Sequence, residues 1–337
     1  MKIELFDYRL PKKFIAQVPL QRRDYSRLLV LDRHTGDIKN DIFYNILNYF
    51  DRGDVLVINE SKVTRCRLIG KKEKTGANIE CFVLNKVKGN QYLVLLKPSK
   101  RLKSLDKVII GKYYFLVISK LDYGKAIVEF NTTVEKIFTE YGRVPIPPYI
   151  KCSGIDESRY QTIYAAREGS SAAPTAGLHF SENLIKEMKS KGVVLAKVGL
   201  NIGLDTFRPI SSDEIEEHKM HSEYYYIRKS EAKKINRSKE AGKRIIAVGT
   251  TVVRVLETLM SRYGKIKGEI RATDIYIYPG FNFKAVDWMI TNFHLPRSTL
   301  LMMVSAFAGR ENILNAYEQA KKNNYRFYSF GDCMLIK

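Results

Sequence analysis

Cysteine is scarce in this chain of 337 residues: four, at positions 66, 81, 152 and 333, with no C-x-x-C pair among them. That spacing gives no disulfide framework and no cysteine-based zinc site, and it fits a reducing cytoplasm. Long apolar runs are missing as well. The longest near the C-terminus, Leu300 to Ala308, is far short of the roughly 20 residues that a membrane span needs. The opening Met1-Lys2-Ile3-Glu4-Leu5-Phe6-Asp7 carries acids where a signal peptide has its apolar stretch, so no signal peptide is expected. Three familiar strings are absent: G-x-x-x-x-G-K-[ST], G-x-G-x-x-G and G-x-S-x-G. A P-loop, a standard Rossmann nucleotide site and a hydrolase elbow therefore lack support. Acids are thin relative to bases, 36 Asp and Glu against 57 Lys and Arg, a net charge of +21. Such an excess favours polyanionic partners and says nothing about fold.

What is present is enough apolar residue, 45 %, to bury a sizeable core, in a length that suggests two domains. Residues 61–151 carry short β-type runs at 65–70, 79–84, 92–96, 107–110, 113–118 and 126–130. Turn signals such as Lys88-Gly89-Asn90 separate them. Short strands at this spacing predict an antiparallel barrel or sandwich. The same stretch holds 19 Lys and Arg against 7 Asp and Glu, more than half of the chain's excess charge. It is expected to bind a polyanion, with Lys97, Lys100, Arg101 and Lys103 as its densest cluster. Arg143-Val144-Pro145-Ile146-Pro147-Pro148-Tyr149 reads as a stiff hinge. After residue 160 strands and helices alternate. Helices are expected after Ser181, over 229–241, over 252–260, after Ser298 and over 311–322, and strands over 193–198, 244–248, 274–278 and 325–330. Ser211 and Glu214 have capping-box spacing before a further polar helix. The expected fold is therefore α/β: a layered main domain (1–62 plus 152–337) with an inserted antiparallel β-barrel (63–151).

Four stretches look built for chemistry. Ser170 to Phe180 crowds small residues, Thr175 and Gly177 among them, into a loop that ends in His179 before a helix start. Small side chains let a backbone approach a ligand, and a helix N-terminus favours an anion. Glu217-His218-Lys219-Met220-His221-Ser222-Glu223 puts two His three apart, which on a helix would share a face. Acid–base or substrate-binding work fits them better than metal, since zinc needs a third protein ligand; no metal is expected. Gly249-Thr250-Thr251 sits between a strand and a helix, a geometry suited to an anion or a hydroxyl. Thr291-Asn292-Phe293-His294-Leu295-Pro296-Arg297-Ser298 offers His294 and Arg297 just before an apolar helix.

These stretches also resemble one family. Tyr160-Gln161-Thr162, Ala172 to Phe180, Glu217 to Glu223, Ala247 to Thr251, Tyr278-Pro279-Gly280-Phe281, Thr291 to Pro296, Val304 to Gly309 and Tyr325-Arg326-Phe327 with Gly331-Asp332 are similar to its signatures. So are Phe6-Asp7-Tyr8 and Ser26-Arg27-Leu28 near the start. The family is the S-adenosylmethionine:tRNA ribosyltransferase-isomerases of queuosine biosynthesis. Asn201 departs from the expected His, Asp205 from Gly and Cys333 from Ala; an Asn cannot exchange a proton near neutral pH.

The resemblance implies ribosyl transfer from S-adenosylmethionine to 7-aminomethyl-7-deazaguanine at the tRNA wobble position, rearrangement to epoxyqueuosine, and release of adenine and methionine. It implies tRNAs with G-U-N anticodons (Asp, Asn, His, Tyr), and no cofactor, since S-adenosylmethionine is consumed. A cytoplasmic monomer is the default expectation. His179 and His221, then His294, are the acid–base candidates. Thr250, Thr251 and Arg297 are candidates for S-adenosylmethionine contact, Tyr160 and Gln161 for the modified base or sugar, and the barrel cluster for tRNA phosphates. Two other readings are a tRNA methyltransferase and a non-catalytic tRNA-binding relative; neither would release adenine.

Overall fold

The computed structural model describes residues 1–152, 154–203, 210 and 212–337. The expectations placed on Asp205 and on the Ser211 cap lie outside these. The chain divides into two units, Met1–Lys62 with Pro147–Lys337, and Val63–Ile146. The return crossing falls among the prolines at 146/147, five residues before the boundary expected at 151/152.

In chain order the strands are β1 (Arg27–Leu31), β2 (Ile38–Ile42), β3 (Val55–Asn59), β4 (Ser61–Val63), β5 (Arg67–Lys72), β6 (Asn78–Lys88), β7 (Gln91–Lys97), β8 (Lys107–Ile110), β9 (Tyr113–Lys120), β10 (Lys125–Phe130), β11 (Arg167–Ser170), β12 (Val194–Leu200), β13 (Glu223–Ile227), β14 (Ile245–Val248), β15 (Glu269–Thr273), β16 (Trp288–Asn292) and β17 (Cys333–Ile336). The α-helices are α1 (Val134–Tyr141), α2 (Glu182–Ser190), α3 (Lys229–Glu240), α4 (Thr250–Tyr263), α5 (Thr299–Ala308) and α6 (Arg310–Lys322).

The smaller unit is a closed antiparallel barrel in the order β10-β7-β6-β5-β8-β9. Its strands match the six runs read from the sequence. Alternate residues such as Ile79, Cys81 and Val83, or Phe115 and Val117, point inward and fill it; this period of two is why the strands were legible. Helix α1, which the sequence reading missed, adds Val134 and Ile137 to that core.

The larger unit is built on a mixed sheet of nine described strands, β15-β13-β12-β3-β14-β16-β17-β1-β2. Along β3, Val55 and Val57 belong to one apolar cluster and Leu56 and Ile58 to another, on opposite faces. All four are fully buried, each contributing about 1.5–3 kcal/mol. A strand covered on both sides reads as a continuous apolar run, as this one does. Helices α3, α4, α5 and α6 pack on the first face, and α2 with the turn Phe43–Tyr49 on the second, which gives three layers. Ser181 and Ser298 cap α2 and α5 through their hydroxyls, accepting from the amides of Leu184 and Leu301.

Three expected elements are corrected. The strand expected over 274–278 lies instead at β15, paired with β13. Thr273 Oγ1 accepts from the Ile275 amide, a local turn that ends pairing. The stretch 325–330 is rich in aromatics but is no strand. Asn324 and Tyr328 have φ of +56° and +71°, and Asp332 holds the loop by accepting from the amides of Arg27 and Arg326. No helix carries His218 and His221: a single 3-10 turn, Ile215–Glu217, ends at an extended His218. Glu214, at its N-cap, gives its carboxylate to the Met1 amine instead of to the turn.

Candidate active site

Strands β12, β3, β14 and β16 are mutually parallel neighbours, so their carboxyl ends leave the sheet along one edge. In open α/β sheets ligands bind outside that edge. A cleft of about 620 Å³ lies there, lined by Pro174-Thr175-Ala176, Gly249-Thr250-Thr251, Thr291 to Leu295, and Tyr328-Ser329. Gly249, at φ +89°, lets β14 turn straight into α4, a conformation that a side chain would strain. Thr250 and Thr251 thus open the helix, where the first amides have no intrahelical acceptor and negative charge is favoured. Asn59 fastens this corner. Its Oδ1 accepts from the amides of Ser61 and Leu200, and its Nδ2 donates to the Leu200 carbonyl and to Thr251 Oγ1. Although the chain is strongly basic, no Lys, Arg, Asp or Glu among the described residues lines the cleft.

His294 and His179 both sit at this edge, and burial makes them differ from ordinary histidines. His294 lines the cleft and is 9 % exposed. Its Nε2 is 2.7 Å from Thr291 Oγ1, and its peptide is held by Tyr317, which accepts from the amide, and Tyr8, which donates to the carbonyl. Burial depresses its pKa to about 3. His179 is enclosed, with Nδ1 2.7 Å from Ser26 Oγ and Nε2 3.1 Å from Asn292 Nδ2. An amide NH2 can only donate, so Nε2 accepts and the ring proton sits on Nδ1. Burial, then the nearby Arg326 and Arg23, push its pKa down to about 3. With both nitrogens occupied, His179 positions Asn292, which also accepts from Thr175 Oγ1 and donates to the Tyr328 carbonyl. His221 is exposed and does not line the cleft; its carbonyl accepts from Arg254.

The remaining candidates separate in the same way. Thr175, Thr250 and Thr251 line the cleft. Gly177 does not; a Cβ there would overlap the Tyr164 hydroxyl, so its smallness serves packing. Tyr160 is completely buried beside Phe330, and Gln161 gives its carbonyl to Arg23. Arg297 is half exposed, outside the cleft, and pairs with Asp7, Nε to Oδ2 2.8 Å. Asn201 Oδ1 accepts from Ser61 Oγ at 3.4 Å and does not line the cleft, although its neighbour Ile202 does; Cys333 is fully buried in β17. Lys97, Lys100, Arg101 and Lys103 are all exposed on the barrel. Among the described residues no three His, Cys, Asp or Glu converge as a metal site, and no helix is long and apolar enough to cross a membrane. Sequence reasoning missed Asn59 and Asn292. Their one signal is a polar residue closing an apolar strand.

The family model described as queuosine biosynthesis protein matches residues 3–336. The chain is 49 % identical, over all of both chains, to the S-adenosylmethionine:tRNA ribosyltransferase-isomerase of Staphylococcus haemolyticus, and 50 % identical to that of Staphylococcus aureus with the same coverage. Its fold is similar to the crystal structure of an S-adenosylmethionine tRNA ribosyltransferase from Thermotoga maritima, with a TM-score of 0.58 and 37 % identity, covering 99 % of this chain and 100 % of that one.

Proposed function

The chain belongs to the queuosine-biosynthesis family of S-adenosylmethionine:tRNA ribosyltransferase-isomerases, and on that premise we propose how its residues carry the reaction. The enzyme moves the ribosyl part of S-adenosylmethionine onto the aminomethyl nitrogen of 7-aminomethyl-7-deazaguanine in tRNA. It isomerises that unit to the epoxycyclopentane of epoxyqueuosine, and adenine and methionine leave. The observation that carries this is the full-length identity near one half to relatives bearing that name. The proposed substrates are tRNAs with G-U-N anticodons, for Asp, Asn, His and Tyr. In this reading the protein acts as a cytoplasmic monomer and needs no cofactor, because S-adenosylmethionine is consumed.

The sulfonium acidifies the neighbouring ribose C5′ protons, so the first demand is a base. His294 is the assigned base, since it lines the cleft and is neutral at pH 7. Having taken the C5′ proton, the same ring is the acid that returns a proton to the departing adenine. His179 is a positioning residue, holding Asn292 against the cleft. The amide end of α4, at Thr250 and Thr251, takes the methionine carboxylate. Lys97, Lys100, Arg101 and Lys103 track tRNA phosphates and set the salt dependence of affinity.

The test is incubation with S-adenosylmethionine and tRNA bearing the aminomethyl base, followed by chromatography. Adenine and methionine should appear only with the modified tRNA. S-adenosylhomocysteine in their place would mean methyl transfer, and bound tRNA with neither product would mean a binding-only relative.

A further inference from the structure

Beside the cleft lies a second, shallow and open pocket, lined by Arg23, Arg159, Arg326, Ser26, His179 and others. Ser329 borders both cavities. Three guanidinium groups meet here with little among the described residues to neutralise them. Arg23 Nη1 donates to the carbonyls of Gln161 (2.8 Å) and Leu178 (3.4 Å), Arg159 Nη2 to that of Leu20 (2.6 Å), and Arg326 Nη1 to that of Val18 (3.3 Å). All these acceptors are neutral. Asp332 is 3.7 Å from Arg326 Nη2, and its two oxygens already accept from the amides of Arg27 and Arg326. Asp156, also facing Arg23, is taken up by the amide and hydroxyl of Ser158. Arg159 Nε is buried with no hydrogen-bond partner among the described residues. Burial first, and the neighbouring charge of Arg159 second, lower the pKa of Arg23.

We propose that Arg23, Arg159 and Arg326 form an oxyanion site that takes a backbone phosphate of the RNA substrate, beside the cleft in which the reaction takes place. The inference rests on the tRNA reading above. Guanidinium forks match the two free oxygens of a phosphodiester. The other anion in the reaction is the methionine carboxylate, but it travels with an α-ammonium and a sulfonium. Three arginines repel both of those cations, and no carboxylate lines the described pocket to answer them. A phosphate brings negative charge alone.

The experiment measures binding of tRNA across a salt series, together with KM for S-adenosylmethionine, for the parent, R159M and R326M. Each substitution should weaken tRNA binding by about 5–10-fold at low salt and reduce the slope of log affinity against log salt by about 0.7–0.9. KM for S-adenosylmethionine should stay within about twofold of the parent. R159K, which keeps the charge and loses the fork, should retain the slope and recover part of the affinity; it also carries the test if R159M does not fold. Parental affinity and slope in the folded variants would overturn the proposal. So would a raised KM for S-adenosylmethionine with tRNA binding intact, which would hand the pocket to the carboxylate. If the parent itself fails to bind tRNA, the functional reading falls first and the pocket with it.

Discussion

Lowering the pH from 7 to 5 should destabilise the larger unit, and two buried rings supply the reason. The pKa values of His179 and His294 are pushed from 6.5 to about 3 in the folded protein. A folded value below the unfolded one means that protons bind the unfolded chain better. The penalty is absent well above pH 6.5, grows as pH falls, and levels off below about 3. Between pH 7 and pH 5 each ring should remove about 2 kcal/mol, or about 4 kcal/mol together. That is a large part of the 5–15 kcal/mol or so that holds a typical domain. Glu257 and Asp332, raised by burial, work in the opposite direction, so the comparison must be between variants. His294→Gln keeps a group that can meet Thr291 Oγ1 and removes the titration. Urea unfolding followed through Trp288, the one tryptophan of the chain and part of β16, reports on the larger unit alone. The parent should lose about 2 kcal/mol more than His294→Gln between pH 7 and 5. Equal losses would refute the claim that burial keeps this ring neutral.

The other predictions concern turnover and binding. His294→Ala should cut adenine release by about 100-fold or more, whereas His221→Ala should leave it within a few-fold; the reverse ranking would move the base away from the cleft. Gly249→Ala forces a side chain to φ +89° and should cost about 1–3 kcal/mol, seen as a lower urea midpoint together with a raised KM for S-adenosylmethionine. Replacing Lys97, Lys100, Arg101 and Lys103 together by Gln should flatten the salt dependence of tRNA binding by about 0.7–0.9 for each phosphate no longer neutralised. The KM for S-adenosylmethionine would not change, and an unaltered slope would remove this cluster from the RNA interface.

Legibility followed the period of the pattern. The barrel strands alternate with a period of two, and α2 and α5 announce themselves through Ser181 and Ser298, so both were readable. The stretch 325–330 misled because Tyr and Phe favour strands, while the two left-handed residues that break it leave no compositional trace. The paired His of 218 and 221 suggested a helical face only because their spacing was right; the carboxylate that could have capped a helix there is drawn to the chain's own amine. At the site, the small-residue loop and Gly249-Thr250-Thr251 were visible as backbone features. Asn59 and Asn292 were not, because their work is to join strands distant in sequence: Asn59 reaches Leu200 and Thr251, and Asn292 reaches His179 and Thr175. The ranking of the histidines changed for the same reason. Placement at the cleft decides which ring can meet a substrate: His294 lines it although largely buried, and the exposed His221 does not.

The absence of ionised side chains among the described residues of the cleft, in a chain carrying 57 Lys and Arg, has a chemical consequence. S-adenosylmethionine arrives with a positive sulfonium. A carboxylate base beside it would stabilise the cation in the ground state and be neutralised when it took the C5′ proton, so the pair would lose charge in the step. Total charge is conserved with either base, but a neutral imidazole becomes charged as the carbon acid loses its net charge, so one net positive charge moves across the cleft and no ion pair is annihilated. Low polarity around the site therefore bears lightly on that transfer, although it weighs heavily against charging His294 in the empty cleft. The depressed pKa of the free protein and a base role for the same ring are compatible on this account: the proton that burial forbids from solvent is one that the substrate itself can bring.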